Sequence, residues 1–501
     1  MTTLYDHQKK ALDFCAGRDY YALLMEQGTG KTATVIHDIA RTWKDNPNVI
    51  VFAPNGVHTN WTLREIPIHL PEDIPVRHAA FYSDPNKKER AALENLFTNT
   101  NEKMLRVLTI NWESLIHAKG LAAIRQFLET FKRPMVVGDE SQRIKTPKAA
   151  RTKQILRLRK YTSRRVIMSG TAILSSPFDA YSQFGFLHPS ILNQPTFASF
   201  RAEHAEMLPN DHGLMRHIVE RTKGKHIPQL VARDFDGMPK WKNLDRLERT
   251  ISQHSFRVLK KDCLGLPDKV YNQTFFNMTA KQRRQYIQLR DDLRLQIDDG
   301  RIAPVARIAA LTKLSQIVSG YFIIPGTNTA ERIVEPKDNP KLDALKELIE
   351  DAEGQMIIWA RFRIEIEDIC WLLNKLEIPH VQYHGDVKRT DRPQAIADFE
   401  SGAARVFVGQ QAAGGTGITL IAPNSAADSI LNIYYSNTFA LEDRLQSEDR
   451  SHRIGQEKTA LYTDIICPGT IDEKIVMSLR SKVDLAQTVL GDKRRALAML
   501  E

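Results

Sequence analysis

Met25-Glu26-Gln27-Gly28-Thr29-Gly30-Lys31-Thr32 follows the apolar run 20–24 and precedes a stretch with helical spacing. Gly-x-Gly-Lys-Thr between a short apolar strand and a helix is an arrangement that holds a phosphate chain. Gly28, Thr29 and Gly30 let main-chain N–H groups close around phosphate oxygens. Lys31 reaches the β- and γ-phosphates, Thr32 can hold a magnesium ion, and the helix points its positive end at the anion. One position departs from the usual pattern, with Met25 where a glycine commonly opens the loop. The competing reading is a glycine-rich turn with a surface lysine. Taken alone, the loop does not say what a bound nucleotide would be used for.

Outward from the loop, short apolar runs alternate with helical ones, as a parallel α/β sheet requires. Residues 21–24, 49–53, 106–110, 135–137 and 165–168 read as buried strands. Each ends at small or polar residues: the loop itself, Pro54-Asn55-Gly56, Asn111-Trp112, Asp139-Glu140 and Ser169-Gly170-Thr171. Ligands of open parallel sheets sit beyond the carboxyl ends of the strands, so these clusters share the edge where chemistry is expected. From about 190 to 335 strand signals thin out. Helices are expected there over 279–299 and 301–319, followed by a loop from 324 through Pro336 and Pro340. A second α/β stretch then begins. It has expected helices over 341–350, 366–376, 393–399 and 441–452, strands over 356–359, 380–383, 405–408, 429–433 and 461–466, and a helical tail from Ile471. The two α/β halves read as one architecture used twice. At 501 residues the chain is too long for one ordinary core.

The formal charge of +10 favours a polyanionic partner, and its distribution is more telling than its total. Between 221 and 261 eleven Lys or Arg residues, among them Arg233, Lys240, Lys242 and Arg246, stand against four acids. The stretch reads as a phosphate-backbone contact or as a solvated face. Cys15, Cys263, Cys370 and Cys467 form no Cys-x-x-Cys pair, which argues against a disulfide framework or zinc module. With no signal peptide and no membrane-length apolar run, a cytoplasmic location is expected.

Asp139-Glu140-Ser141-Gln142 supplies an acidic pair at a strand end opposite the phosphate loop. Asp139 can hold magnesium through water, and Glu140 can polarise an attacking water. Ser169 and Thr171 add hydroxyls at the same edge. The Gln8 amide could read an adenine edge or be an ordinary surface group. In Gln446-Ser447-Glu448-Asp449-Arg450-Ser451-His452-Arg453-Ile454-Gly455-Gln456, the residues Gln446, Asp449, Arg450 and Arg453 recur at helical spacing on one face. They are a solvated stripe, or they are arginines that complete a nucleotide site when two domains close. Such fingers can accelerate phosphoryl transfer about 10³–10⁵-fold.

The segments MEQGTGKT, APNGVHTNW, INWESL, DESQRIK, SGTAILSSPFDAYSQFGFL, FRVLKKDCLGLP, LTKLSQIVSG, YHGDVKRTDRPQAIADF, GGTGITL and QSEDRSHRIGQ occur in this order over nearly the whole chain. In them the chain resembles the Swi/Snf, chromatin-remodeller-like family of superfamily 2 helicase-type ATPases. The resemblance implies an α/β fold of two RecA-like parallel-sheet domains with a helical family-specific insertion. The expected limits are 1–190, 191–335 (insertion), 336–470 and a tail over 471–501, with 256–266 as the stretch between domains. It implies ATP and Mg2+, with Lys31, Thr32, Asp139 and Glu140 as the hydrolytic centre and Arg450 and Arg453 as arginine fingers. Gln8, Gly28, Thr29, Gly30, Gln142, Gly417 and Gln446 belong to its nucleotide site. Pro54, Asn60, Trp61, Asn111, Ser169, Thr171, Gly385 and Gly415 fall in motifs that line the nucleic-acid groove or couple it to ATP.

Several positions depart from the family pattern. Gln142 stands where His is common, Ala412 where Arg is usual, and Phe439-Ala440 replaces a Trp-Asn pair. No bromodomain-, chromodomain- or SANT-like module and no RING insertion is recognisable. A minimal motor of bacteria or their viruses is therefore expected, acting as a monomer on double-stranded or branched DNA without a membrane or metal cluster. Its expected work is ATP-driven translocation that remodels protein–DNA complexes, forks or branches. The alternatives are strand separation, an ATP-gated DNA-binding module, or the motor subunit of a restriction or defence complex. If the basic stretch contacts phosphates, log K for duplex DNA falls with log salt by about 0.9 per neutralised phosphate. Replacing Lys240, Lys242 and Arg246 with Ala then flattens that slope in a salt titration of binding, and an unchanged slope returns the stretch to a solvated face.

Overall fold

Strands that lie between two layers of helices must be apolar on both faces, and the runs Tyr-Tyr-Ala-Leu-Leu-Met and Asn-Val-Ile-Val-Phe-Ala meet that demand. The computed structural model describes residues 3–98, 100, 103–209, 212, 215–216, 230–235, 238–263, 265–298, 304–324, 329–388, 390–411, 418–422, 427–453 and 456–490. The chain divides into two units. The first comprises 1–209, 229–264 and 482–501; the second comprises 210–228 and 265–481.

The first unit holds β1 (Tyr20–Met25), β2 (Asn48–Ala53), β3 (Val76–Ala80), β4 (Leu105–Asn111), β5 (Met135–Asp139), β6 (Arg165–Met168) and β7 (Ser255–Val258). Their spatial order is β3-β4-β2-β5-β6-β1-β7, and every neighbouring pair is parallel. Successive side chains go to opposite faces. Ala22, Leu24, Ile50 and Phe52 enter one core, whereas Tyr21, Leu23, Met25, Val49 and Val51 enter the other. Val489 and Leu490, at the end of the helix Ile471–Val489, belong to the first of these cores.

The second unit holds β8 (Lys269–Phe275), β9 (Tyr321–Ile323), β10 (Ala330–Arg332), β11 (Met356–Ala360), β12 (His380–Tyr383), β13 (Val406–Gln410), β14 (Ser429–Tyr434) and β15 (Thr459–Ile466). Six of them form a parallel sheet in the order β12-β13-β11-β14-β15-β8, while β9 and β10 pair as an antiparallel hairpin. Both sheets follow the α/β class read from the sequence.

The differences lie in the stretch read as helical. The helices Ala280–Asp298 and Pro304–Val318 are present, but β7 joins the first sheet and β8 the second, so 191–335 is shared between the two units. Part of the expected connection, at Phe256, is therefore strand. The expected loop after Ile324 contains β10. In the basic stretch Arg221, Lys223, Lys225 and Asp236 lie outside the described residues. Lys240 and Arg246 pair with Glu206 and Glu203 at 3.4 and 2.7 Å, so two of its cations already have carboxylate partners. Among the described residues no helix is long and apolar enough to cross a membrane.

A buried ion cluster clamps the helix that follows the phosphate loop. Asp38 accepts from the Tyr21 hydroxyl at 2.6 Å and pairs with Arg164 at 2.6 Å and Arg41 at 2.5 Å. Arg164 also donates to the carbonyls of Cys15 and Arg18, joining the first helix to β6. Removing the anion leaves the buried Arg164 unneutralised, and breaking such a buried pair costs about 3–5 kcal/mol. Asp38→Ala lowers the unfolding free energy by that order, read as a lower denaturant midpoint at unchanged m in equilibrium unfolding.

Candidate active site

The phosphate loop joins β1 to α2 (Lys31–Thr42), and two of its residues need glycine. Gly28 and Gly30 have φ of +83° and +84°, in the left-handed region that L side chains avoid. Gly30 is constrained twice, because a Cβ there would lie 1.8 Å from Gln8 Nε2. Gln8, on α1 (Asp6–Cys15), is buried against the loop with its amide nitrogen near the carbonyls of Thr29 and Gly30. The sequence leaves this amide as a reader of an adenine edge or as an ordinary surface group; it is buried against the loop and is not a surface group. Thr29 is buried, and Thr32 is half-buried on the first turn of α2.

Lys31 is buried, and its ammonium donates to the main-chain oxygens of Met25 at 2.9 Å and Glu26 at 3.3 Å rather than to a carboxylate. An ammonium has three protons, so these bonds leave one for an anion. Asp139 closes β5 inside the protein. Burial, followed by the charge of Glu140, pushes its carboxyl up, against the Trp61 indole and the Lys31 ammonium. A desolvated carboxylate beside a second carboxylate is a place where a cation relieves two costs at once. This donor set, a buried lysine at a glycine loop facing a buried acid, fits a magnesium-bound nucleotide. Thr32 and Asp139 are the residues that would hold the ion.

Glu140 sits in the left-handed region at φ +51° and opens the short 3₁₀ turn Ser141–Ile144. A chain of hydrogen bonds runs from it through the unusual amide. Gln142 Nε2 donates to Glu140 Oε2 at 2.9 Å, Ser169 Oγ donates to Gln142 Oε1 at 2.7 Å, and the Thr171 N–H donates to Ser169 Oγ at 2.9 Å. Gly170 lies against the phosphate loop, with a Cβ there 3.1 Å from Gln27 N. The first unit therefore brings Lys31, Asp139, Glu140, Gln142, Ser169 and Thr171 to one sheet edge.

The other residues of the expected groove sort differently. Pro54 is buried, Asn60 is exposed, and Asn111 caps the next turn by accepting from Ser114 N at 2.9 Å. Trp61 is 1% exposed and donates its indole N–H to Asp139 Oδ2 at 3.0 Å. Gly385 is exposed in the second unit. Ala412, Gly415, Gly417, Ile454 and Gly455 lie outside the described residues.

In the second unit the helix Leu441–Ser451 carries Gln446, Asp449 and Arg450, but it stops before Arg453. Arg453 thus does not share the helical face that the spacing predicts, because the chain leaves helical geometry at His452. Gln446 donates to Glu442 on the preceding turn. Arg450 is 4% exposed, and burial pushes its guanidinium down to about 10. The Trp359 ring centre lies 5.7 Å from its Cζ.

What anchors this helix was not legible in the sequence. Glu448 accepts from Arg444 at 2.8 Å, Lys269 at 3.0 Å and Tyr271 at 2.9 Å, while Arg444 also reaches Asp464 at 2.5 Å and Asn437 at 3.0 Å. Only Arg444–Glu448 shows the four-residue spacing that a sequence could signal.

A model of the SNF2-related domain matches residues 7–319, more than half of the chain, and a model of the helicase conserved C-terminal domain matches residues 340–455. The chain belongs to the SNF2-related family of helicase-type ATPases. Its two parallel-sheet units are the RecA-like pair of that family. Among curated relatives, the SWI/SNF-related matrix-associated actin-dependent regulator of chromatin subfamily A-like protein 1 of Xenopus tropicalis is 23% identical over 489 residues, covering 96% of this chain and 44% of the relative. The chromatin structure-remodeling complex subunit snf21 of Schizosaccharomyces pombe is 24% identical over 488 residues, covering 93% and 37%. The chain thus spans less than half the length of these relatives. A solved structure, the SWI2/SNF2 ATPase core of Sulfolobus solfataricus in complex with dsDNA, is similar at 21% identity and a TM-score of 0.39, over 98% of this chain and 93% of that one.

Burial alone pushes the Glu448 carboxyl up, but Lys269 and then Arg444 outweigh it and hold it down to about 2. A group depressed on folding stabilises above its unfolded value, about 4.3, and that contribution is lost as pH falls through the folded value. Equilibrium unfolding of the wild type therefore loses about 3 kcal/mol between about pH 6 and about pH 2 from this group. Glu448→Gln starts less stable near neutrality and loses less over the same interval.

Proposed function

We propose that this chain is a DNA-stimulated ATP hydrolase that translocates on double-stranded DNA without separating the strands. The observation that carries the reading is the hydrogen-bonded chain Glu140–Gln142–Ser169–Thr171. It ties the carboxylate that polarises the attacking water to a polar turn at the sheet edge, so a change at that turn alters the base directly. Magnesium, which Thr32 and Asp139 would hold, would neutralise phosphate charge on the bound ATP. Lys31 binds the terminal phosphates, and the N–H groups of 28–32 cradle them. Thr32 and Asp139 orient the complex, and Glu140 takes the proton of the water. Arg450 and Arg453 from the second unit neutralise charge on the transferred phosphoryl group, which makes hydrolysis depend on the state of both units.

Pro54, Asn60, Asn111 and Thr171, with Gly385 and Gly415, serve the nucleic-acid side, mostly through phosphate contacts that carry no sequence information. One relative is a regulator of chromatin and another a subunit of a chromatin structure-remodeling complex, which supports DNA as the track. The free thiols Cys15, Cys263, Cys370 and Cys467 fit a reducing cytoplasm, in a bacterium or a virus-infected cell. One feature favours strand separation as the second reading. Phe235 is fully exposed on a turn where Asp234 N donates to Met238 O at 2.9 Å, as a wedge between base pairs would be.

The deciding measurement is ATP hydrolysis without nucleic acid and with single-stranded, duplex and branched DNA. Duplex or branched DNA raises the rate, and Glu140→Gln lowers it by about 10²-fold or more, as expected for loss of a general base. Failure of both DNA forms to stimulate hydrolysis refutes the motor. Displacement of a triplex strand without unwinding product supports translocation, whereas unwinding that Phe235→Ala abolishes selects the second reading.

A further inference from the structure

The dipeptide Asn-Trp occurs twice on the active edge of the first sheet, at Asn60-Trp61 after β2 and at Asn111-Trp112 after β4, and these strands are neighbours. Both indoles are buried, and both donate to the same residue. Trp61 Nε1 reaches Asp139 Oδ2 at 3.0 Å, and Trp112 Nε1 reaches the Asp139 carbonyl at 2.8 Å. Room for the second ring is made by Gly138, where a Cβ would come within 3.1 Å of Trp112 Cη2.

The two bonds differ in what they can do. A main-chain carbonyl in β5 is already fixed by the sheet, so Trp112 merely satisfies its own buried N–H. A carboxylate can rotate about its Cα–Cβ and Cβ–Cγ bonds. A donor on Oδ2 sets its plane and so the direction of its other oxygen. Trp61 also begins a π-helical turn, Trp61–Glu65, between the short helices Val57–Asn60 and Ile66–His69. An extra residue in a helical turn re-aims one side chain at local cost, and such turns concentrate at functional sites. Asn60, one residue earlier, is exposed. The dipeptide therefore has one side chain in solvent and the next on the acid.

We infer that Trp61 is a positioning residue: its indole N–H orients the Asp139 carboxylate toward magnesium-bound nucleotide and reports to it the state of the segment that bears Asn60. The second half of this inference rests on the proposed DNA motor; the first half does not. Outer partners that orient a metal-binding group typically change metal affinity by about 10–100-fold when removed.

The test replaces Trp61 with 3-benzothienylalanine, which keeps the shape and exchanges the N–H for sulfur, beside Trp61→Phe and the same benzothienyl exchange at Trp112. Binding of a ribose-labelled fluorescent ADP is titrated with MgCl2, and is measured in EDTA as the magnesium-free reference. The Trp61 exchange raises the magnesium midpoint about tenfold or more with EDTA binding unchanged, and Trp61→Phe does the same. The Trp112 exchange leaves the midpoint within about twofold of the wild type, well below that range. An unmoved midpoint at Trp61, or an equal shift at Trp112, overturns the positioning role. Repeating the titration with blunt duplex DNA lowers the wild-type midpoint about fivefold or more and leaves the Trp61 variant unmoved. A duplex response retained by that variant overturns the reporting role. Wild-type hydrolysis that duplex does not stimulate refutes the motor, and with it the reporting role, while the DNA-free titration still decides whether Trp61 positions Asp139.

Discussion

A strand covered by helices on both faces can place a polar side chain in reach of water only where it ends. That constraint organises the protein. Asp139 ends β5, Ser169 follows β6, and the phosphate loop follows β1. All the strands of the first sheet run the same way, so their ends gather on one edge. Groups distant in sequence meet there without any dedicated scaffold, and the desolvated walls that support them strengthen each charge interaction.

The two units spend buried charge differently. In the first, Asp38 with Arg41 and Arg164 is closed, each cation near its anion, and serves the frame. Two turns earlier on the same helix Lys31 donates to carbonyls, and at the end of β5 Asp139 is held off its ordinary ionisation by burial and by Glu140. One cluster is satisfied within the fold, and the other is left with capacity for a ligand. In the second unit Arg444 is enclosed by Glu448 and Asp464, and burial lowers the guanidinium of the nearby Arg450 to about 10, which leaves it charged near neutral pH.

Much of this was legible because it is local. Glycines with positive φ, a following lysine and an acidic pair at a strand end are each fixed by a few neighbouring residues. What escaped is non-local or lies on an edge. β8 has only exposed and half-buried residues at the border of its sheet, so its pattern Lys-Val-Tyr-Asn-Gln-Thr-Phe lacks the uniform apolarity of a central strand. β3, with Arg77 and His78 inside it, is hidden for the same reason. The family resemblance puts Trp61 in a motif that lines the nucleic-acid groove or couples it to ATP; only the fold reveals a partner 78 residues away. The repeated Asn-Trp was the available signal. Arg453 shows a limit of periodicity, since spacing alone does not say where a helix stops.

The anchoring of the Arg450 helix has a mechanical consequence. The chain passes from the first unit to the second near residue 265, and almost at once Pro267 accepts a hydrogen bond from His452 while Lys269 and Tyr271 hold Glu448. The connecting segment is therefore fastened like a tendon to the helix that bears Arg450, not to some remote part of the second unit. Tension in that segment reaches the arginine helix through side chains, by His452 on Pro267 and Glu448 on Lys269 and Tyr271, as well as along β8.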